Sequence, residues 1–270
     1  MGRRAPPTSR SEPMFRDNPL KARLAEGGRA LGCWLNLASP MAAEIVALAG
    51  YDFVLIDHEH GPGSLRDGVA LMQAVSATGA ASVMRVPWND AVYIKRALDA
   101  GAEGIMVPAV EDAAAARAAV AACRYPPAGV RGVAYTITRA SDYGLRTEDY
   151  GARANANLVI LCQIESLRAI ENVAEIAATA GLDVLFIGPF DLSAALGKPG
   201  RFEDAEVADA LARAEAAILE SGKVLGGIPR EGDPPAAMFA RGYRLIASGS
   251  DVVLLREGAR ADIAAAKTEG

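Results

Sequence analysis

The sequence predicts an α/β fold in which eight strand–helix units close into a single (β/α)8 barrel of the TIM type. Short apolar runs alternate with segments of helical composition along the chain, and the eight runs match the strand number of such a barrel. None of the runs resembles an edge strand, which favours closure over an open doubly wound sheet. A length of 270 residues with 51% hydrophobic residues can fill one barrel core and cover it with helices. We therefore expect one domain over residues 19–270, preceded by a disordered tail over residues 1–18.

The strands are predicted from short apolar runs that stop at polar or turn residues. The two clearest runs, 158–165 and 184–191, are apolar almost throughout and too short for helices, as expected of parallel strands buried on both faces. The predicted strands, in chain order, are 32–36, 53–57, 82–86, 104–107, 158–165, 184–191, 224–228 and 245–248.

Helices are predicted in the intervals between these strands. The interval 166–180 has apolar residues at positions 167, 170, 173, 176 and 177, the spacing of one helical face. The predicted helices are 41–49, 64–77, 90–100, 112–123, 166–180, 204–220 and 251–266. Two irregular stretches, 124–157 and 192–201, are expected at the carboxyl face of the barrel, where enzymes of this architecture build active sites.

Two carboxylates stand where neighbouring predicted strands end. Glu165 closes one run and Asp191 the next, and parallel neighbours lie about 4.8 Å apart, so both side chains are expected on one edge of the sheet. Two adjacent acids repel unless a cation holds them, and a hard divalent ion such as Mg²⁺ or Mn²⁺ prefers such oxygen ligands. The alternative is that Asp191 caps a short helix and Glu165 pairs with an arginine.

Arg85 lies inside a predicted barrel strand, where a guanidinium is costly to bury without an anionic partner. It is predicted to hold a bound carboxylate, or else to form a structural ion pair with Glu165 or Asp57. The two histidines, His58 and His60, are too few for a zinc hydrolase site. One of them is a candidate acid or base, and the alternative for either is a loop histidine with a structural role.

Several function classes are disfavoured. None of the five lysines is expected at the carboxyl end of a strand, which argues against Schiff-base catalysis and favours a metal-stabilised enolate. A net charge of −5 predicts no nucleic-acid partner, and no apolar run has the length of a membrane span. Three widely spaced cysteines predict neither a disulfide framework nor a zinc site, and they fit a cytoplasmic protein.

Five motifs, in order and with matching spacing, resemble the HpcH/HpaI aldolase family over about residues 20–260. The motifs are Asp57-x-Glu59-His60-x-Pro62, Arg85-Val86-Pro87, Arg124-Tyr125-Pro126-Pro127-x-Gly129-x-Arg131-Gly132-Val133, Gln163-Ile164-Glu165-Ser166 and Phe186-Ile187-Gly188-Pro189-x-Asp191-Leu192-Ser193. The resemblance implies a class II aldolase that cleaves 4-hydroxy-2-oxo acids to pyruvate and an aldehyde. It also implies a divalent cofactor (Mg²⁺, Mn²⁺ or Co²⁺) and a homotrimer or homohexamer whose last helix packs on a neighbouring subunit.

The resemblance further assigns roles near the metal. Glu165 and Asp191 would bind the ion, and Arg85 would stabilise the enolate. The backbone N–H groups of Gly188 and Phe190 would hold the pyruvate carboxylate.

The remaining implied roles concern protons and the substrate's surroundings. Gln163 would lie beside the substrate, and His60 would transfer protons with Asp99 as its acidic partner. Asp57 matches a further acidic position near the site.

Two residues depart from the family pattern, and both are expected beside the carbonyl pocket. His58 stands at a position where glycine is common in the family, and Phe190 at one where alanine or serine is common. Both residues are therefore expected to affect which aldehyde the enzyme accepts. The alternative activity is a lyase or decarboxylase of the same enolate type, acting on oxaloacetate or a CoA thioester. An alternative from another class is a catalytically inactive barrel that serves as a binding protein.

Overall fold

The computed structural model describes residues 14–267, and within them eight parallel strands form a closed barrel in sequential order. The strands are β1 (Ala30–Leu35), β2 (Phe53–Asp57), β3 (Ala81–Arg85), β4 (Gly104–Val107), β5 (Val159–Ile164), β6 (Val184–Ile187), β7 (Val224–Gly227) and β8 (Leu245–Ser250). Closure is made by β8 pairing with β1, so that Ala30 lies opposite Leu245. The predicted barrel is confirmed.

Twelve α-helices surround the barrel within the same residues. They are α1 (Pro19–Ala25), α2 (Pro40–Leu48), α3 (Leu65–Val75), α4 (Ala91–Asp99), α5 (Ala113–Cys123), α6 (Thr147–Arg153), α7 (Leu167–Glu171), α8 (Val173–Ala177), α9 (Pro189–Ala195), α10 (Ala205–Glu220), α11 (Pro235–Ala240) and α12 (Asp251–Lys267). Many begin at a side chain that accepts a hydrogen bond from the first turn, which fixes the start of the helix. These residues are Asn18, Ser39, Ser64, Asp90, Asp112, Ser166 and Asp204.

Side chains alternate between two apolar layers along each strand. In β2, Phe53 and Leu55 belong to the cluster inside the barrel, whereas Val54 and Ile56 belong to the cluster between the barrel and the helices. This alternation directs the next inward position, Asp57, towards the barrel axis.

The first described residues correct the predicted tail boundary. Residues 14–18 pack on the barrel: Phe15 is buried, with its ring centroid 4.8 Å from that of Tyr150. Arg16 forms an ion pair with Glu103 at 2.8 Å. The Pro and Ser residues that suggested disorder all precede residue 14, whereas one buried ring and one ion pair fix residues 15 and 16. The rest of the predicted tail lies outside the described residues.

Two predicted elements have different bounds in the structure. The expected helix 166–180 is divided into α7 and α8 at Asn172, whose backbone (φ −99°, ψ 8°) leaves the helical region. The expected strand 184–191 ends at Ile187, and its last residues open α9 because Pro189 cannot donate to a ladder and suits a first helical turn.

The irregular stretch 124–157, expected at the carboxyl face of the barrel, lies at the amino face, so this prediction is wrong. It follows α5 and leads into β5, so it lies where strands begin and not where they end. The direction of the preceding helix decides this, because each helix returns the chain to the amino ends of the strands. Residues 192–201, which follow α9's first turn, do lie on the carboxyl side.

The final helix, α12, is exposed along nearly its whole length. Asp251 is buried and accepts the backbone N–H groups of Asn36 and Leu37, which anchors the helix to β1. Every later residue through Lys267 is exposed, including Leu255 at 65%. Among the described helices, none is long and apolar enough to cross a bilayer.

Candidate active site

The residues singled out at strand ends meet on one rim of the barrel. Asp57 and Arg85 are the last residues of β2 and β3, and Glu165 and Gly188 directly follow β5 and β6. Because the strands are parallel, all four lie at the carboxyl ends.

Arg85 is held by two carboxylates and an aromatic ring. Its Nε and Nη2 donate to Asp57 Oδ1 and Oδ2 at 2.9 and 2.7 Å, and its Nη1 lies 3.0 Å from Glu59 Oε2. The guanidinium carbon is 4.4 Å from the centroid of the Trp34 ring. Asp57 therefore accepts two of the five guanidinium N–H groups and Glu59 is an ion-pair partner of Nη1, which leaves N–H groups of Nη1 and Nη2 for an oxygen of a bound molecule.

Asp57 organises the loop after β2 as well as Arg85. Its Oδ1 accepts the backbone N–H groups of Glu59 and His60, and its Oδ2 accepts from Asn36 Nδ2 at 2.8 Å. Burial alone would raise the pKa of this carboxyl, but hydrogen bonds from Arg85 and the two backbone N–H groups lower it below its ordinary value. Asp57 is thus a fixed anion that positions its neighbours.

Glu165 sits in a tight, mostly buried environment. Its Oε1 accepts the N–H of Ala109 at 2.6 Å, and its Oε2 accepts from Gln163 Nε2 at 2.7 Å. A Cβ at Gly188 would lie 2.7 Å from that Oε2, so glycine there leaves room for the carboxylate. Ala109 supplies its N–H from a left-handed backbone (φ 52°), a conformation disfavoured for alanine.

The pKa of Glu165 is raised to about 7. Burial is the largest cause, the Ala109 N–H opposes it, and the negative charges of Asp191 and Glu59 add to it. A cation nearby would stabilise the charged form of this carboxyl and lower its pKa.

Glu165, Asp191 and Glu59 line a common cavity of about 290 Å³. Within residues 14–267, no three side chains of His, Cys, Asp or Glu form a ready metal site, so the protein would supply two carboxylates and leave the other positions to water or substrate oxygens. The donor chemistry and the raised pKa of Glu165 fit a hard divalent ion. The alternative arrangement is not found: in the described chain Glu165 makes no ion pair, and Asp191 makes no capping hydrogen bond.

The expected pair of backbone donors is only half available. The N–H of Gly188 donates to Ile164 O at 3.1 Å and so continues the β5–β6 ladder by one residue beyond β6. This corrects its expected role as a substrate donor. The N–H groups of Phe190 and Asp191, in the first turn of α9, have no acceptor within the described residues.

The two residues that depart from the family pattern lie in different places. Phe190 is 56% exposed on the rim and packs edge-on against Phe202 at 5.0 Å between centroids. His58 faces away from the barrel axis, is buried, and its Nδ1 lies 2.8 Å from Tyr93 Oη. Burial lowers its pKa. The alternation along β2 sends His58 into the helix layer, so its expected place beside the carbonyl pocket is wrong.

The two proton-transfer candidates are not brought together within one chain. His60 is exposed at the mouth, with Nε2 4.0 Å from Glu59 Oε2. Asp99 ends α4, at the amino side of the barrel, and accepts from Arg131 Nη2 at 2.7 Å. The expected pairing is corrected for the single chain because a helix that follows a strand ends at the opposite side of the barrel.

Three contributors to the site were missed by sequence reasoning. Glu59 lay inside a quoted motif, and its position next to Asp57 was the available signal. Trp34 contacts Arg85 inside the barrel although β1 and β3 are separated by β2, and a tryptophan in a predicted strand does not reveal this by itself. Ala109 acts only through its backbone N–H, for which the sequence gives no signal.

Comparison with known proteins places this rim in context. Residues 30–258 match the sequence pattern of the family described as HpcH/HpaI aldolase/citrate lyase. The chain belongs to the HpcH/HpaI aldolase/citrate lyase family. This confirms the resemblance of the motifs and the expectation of a carbon–carbon lyase.

Relatives in the HpcH/HpaI family cover nearly the whole chain. A hydroxypyruvate/pyruvate aldolase of Delftia acidovorans is 43% identical over 248 residues, which are 91% of each chain. A 4-hydroxy-2-oxo-heptane-1,7-dioate aldolase of Escherichia coli is 40% identical over 91% of this chain and 93% of its own. The crystal structure of a family member from Burkholderia cenocepacia matches with a TM-score of 0.87 and 39% identity, covering 93% of this chain and 99% of that one.

Proposed function

We propose that the protein is a divalent-metal-dependent aldolase that reversibly cleaves a 4-hydroxy-2-oxo acid into pyruvate and an aldehyde. The observation that carries the proposal is the shared cavity of Glu165 and Asp191, with Arg85 held nearby by Asp57 and Glu59 and retaining N–H groups for a bound oxygen. A carboxylate pair for a cation and a guanidinium for an oxyanion are what an enolate needs. The names of the relatives support the same reaction class.

Glu165 and Asp191 would hold the metal, Mg²⁺, Mn²⁺ or Co²⁺. When bound, the ion would act as a Lewis acid on the 2-oxo group of the substrate. Gln163 and the Ala109 N–H fix the orientation of Glu165. The buried Oε1 of Gln163 has no donor in the described chain, and a water or a hydroxyl group of a bound molecule would satisfy it.

Arg85 would stabilise the charge that forms on cleavage. As the 4-hydroxyl proton leaves and the C3–C4 bond breaks, the bond electrons pass to the C2 oxygen of the pyruvate enolate. The free N–H groups of Arg85 would donate to that oxygen, while Asp57 and Glu59 keep the guanidinium in place. Protonation of C3 then gives the methyl group of pyruvate.

His60 would take up and return the 4-hydroxyl proton. It lies in the loop whose N–H groups are held by Asp57, and it is exposed at the mouth where the aldehyde must leave. Phe190 would border the aldehyde portion, and its free backbone N–H would help to bind the pyruvate carboxylate.

The proposal is tested by following pyruvate released from 4-hydroxy-2-oxoheptanedioate with lactate dehydrogenase and NADH. We expect release with added Mn²⁺ and none after EDTA, restored by excess Mn²⁺. The same samples should exchange the methyl protons of pyruvate for deuterium. Full activity in EDTA, or neither release nor exchange with metal, would contradict the proposal; decarboxylation of oxaloacetate alone would favour the alternative lyase.

We further propose a homo-oligomer, a trimer or hexamer, assembled through α12. Exposed apolar side chains of α12, such as Leu255, continue onto α2, where Met41, Ile45 and Leu48 are each about two-thirds exposed or more. The last helix has too little contact with its own barrel to bury these groups.

We also propose a cytoplasmic location. The three cysteines are free and buried, which suits a reducing compartment such as the cytoplasm.

Replacing Leu255 by glutamate is expected to weaken this assembly. A charge at the centre of an apolar contact must be desolvated, so the oligomer should dissociate towards the 28.0 kDa chain in light-scattering chromatography. Ala208→Glu, which adds the same charge on the exposed face of α10, is the control and should leave the mass unchanged. A wild-type protein that elutes as a monomer would contradict the proposal.

A further inference from the structure

A second cavity, of about 660 Å³, lies at the amino ends of the strands, opposite the site of Glu165. We call it the amino-end cavity. Its apolar wall includes Phe15, Met72 and Leu158, and its charged residues are Arg16, Glu103 and Arg139. Its volume falls within the range of small-molecule sites.

Arg139 is the unusual member of this wall. It is 8% exposed, its Nη1 donates to Ala100 O at 2.8 Å, and its buried Nε has no acceptor among the described residues. Among residues 14–267 it forms no ion pair with a carboxylate. Burial lowers its pKa, against the influence of Tyr143, Asp142 and Glu103. A buried guanidinium without an anion is costly and calls for a partner.

The other charges of the cavity are already matched. Glu103 accepts from Arg16 Nε and Nη2, at 2.8 and 3.2 Å, and from the backbone N–H of Ser82 at 2.8 Å. This pair is neutral as a whole. Among residues 14–267, Arg139 is therefore the charged residue of this cavity that has no ion-pair partner.

The chain leaves room for this guanidinium. Gly101 has a positive φ of 102°, and a Cβ at this position would lie 2.6 Å from Nη1 of Arg139. The carbonyl of the preceding residue, Ala100, accepts the hydrogen bond from the same Nη1. The turn after α4 is thus shaped around the Arg139 side chain.

We propose that the amino-end cavity binds a small monocarboxylate with a compact apolar body, whose carboxylate pairs with Arg139. One free positive charge matches one negative charge, whereas a phosphate dianion would bring excess charge close to Glu103. The apolar body would lie against Phe15, Met72 and Leu158. The proposal is independent of the reaction at the carboxyl ends of the strands.

The probes are benzoate and its neutral isostere benzamide, titrated calorimetrically into the full-length protein. We expect saturable benzoate binding and an affinity for benzamide that is at least about tenfold lower, because the charge-assisted hydrogen bonds are lost. Arg139→Gln should lower benzoate affinity by a similar factor. Since this variant could fold poorly, its circular dichroism is checked, and the comparison of the two probes on wild-type protein decides the question alone.

Arg85→Gln is the control for location, because it removes the guanidinium of the other site and should leave benzoate binding unchanged. Equal affinities for benzoate and benzamide would overturn the proposal. So would loss of binding in Arg85→Gln with retention in Arg139→Gln, displacement of benzoate by inorganic phosphate, or no saturable binding of benzoate.

Discussion

Replacement of Arg85 by glutamine is expected to lower kcat by about 100- to 1,000-fold, the usual effect of removing a donor to a developing oxyanion. The side chain is held by Asp57, Glu59 and the Trp34 ring, so its N–H groups are fixed before substrate arrives. Glutamine keeps some hydrogen bonding but neither the charge nor the fork. Steady-state kinetics of pyruvate release with saturating Mn²⁺ measures the change.

Arg85→Lys separates the charge from the geometry. Lysine retains the positive charge beside Asp57, so the fold should be kept, but one ammonium cannot reproduce the bidentate contact and also reach the substrate. We expect kcat closer to that of the glutamine variant than to wild type. Arg153→Gln, which removes the surface ion pairs of Arg153 with Asp17 and Asp149, is the matched control and should retain activity. Wild-type kcat in Arg85→Lys would show that charge alone suffices.

Glu165→Gln and Asp191→Asn are each expected to abolish measurable turnover and to lower Mn²⁺ affinity by at least about 100-fold. Each change keeps the shape of the side chain and removes the negative charge that would bind the ion. Electron paramagnetic resonance of free Mn²⁺ in a titration measures affinity without relying on activity. Glu111→Gln is the control, because Glu111 lines the same cavity but pairs with Arg168 at its exposed edge.

The stability of the metal-free variants gives a second reading. Burial and the neighbouring carboxylates raise the pKa of Glu165 to about 7, so its charged form weakens the folded state relative to the unfolded chain at neutral pH. Glu165→Gln should therefore have an equal or higher Tm than wild type in EDTA. A large loss of Tm would mean that Glu165 is needed for the fold, and unchanged Mn²⁺ affinity would exclude it as a ligand.

The barrel and the rim of polar residues were predictable because both are local properties of the sequence. Apolar runs mark strands, and the residue at which a run stops must lie at a strand end, as Asp57 and Arg85 do. The family motifs further indicated which of these strand-end residues belong to one site. The order of strands then follows from the regular alternation with helices.

The predictions that were wrong concern where a side chain or backbone group points, and not which type of residue stands at the position. Side chains alternate along β2, so His58 points away from the barrel axis whereas Asp57 points towards it. Helix α4 runs back to the amino ends of the strands and carries Asp99 there. The pairing of β5 with β6 occupies the N–H of Gly188. Parity and helix direction can be derived from a strand–helix alternation once it is accepted. That Arg139 has no ion-pair partner among residues 14–267 could not be derived, because it depends on which carboxylates approach its guanidinium in the folded chain.

The pairing of β1 with β8 has a consequence for the making of the protein. These strands are separated by most of the chain, so a polypeptide emerging from the ribosome keeps two open sheet edges until synthesis is almost finished. A truncated product that lacks β8 cannot satisfy the backbone groups of β1 and is exposed to proteases and to edge-to-edge association. Complete translation is therefore a condition for a protected molecule.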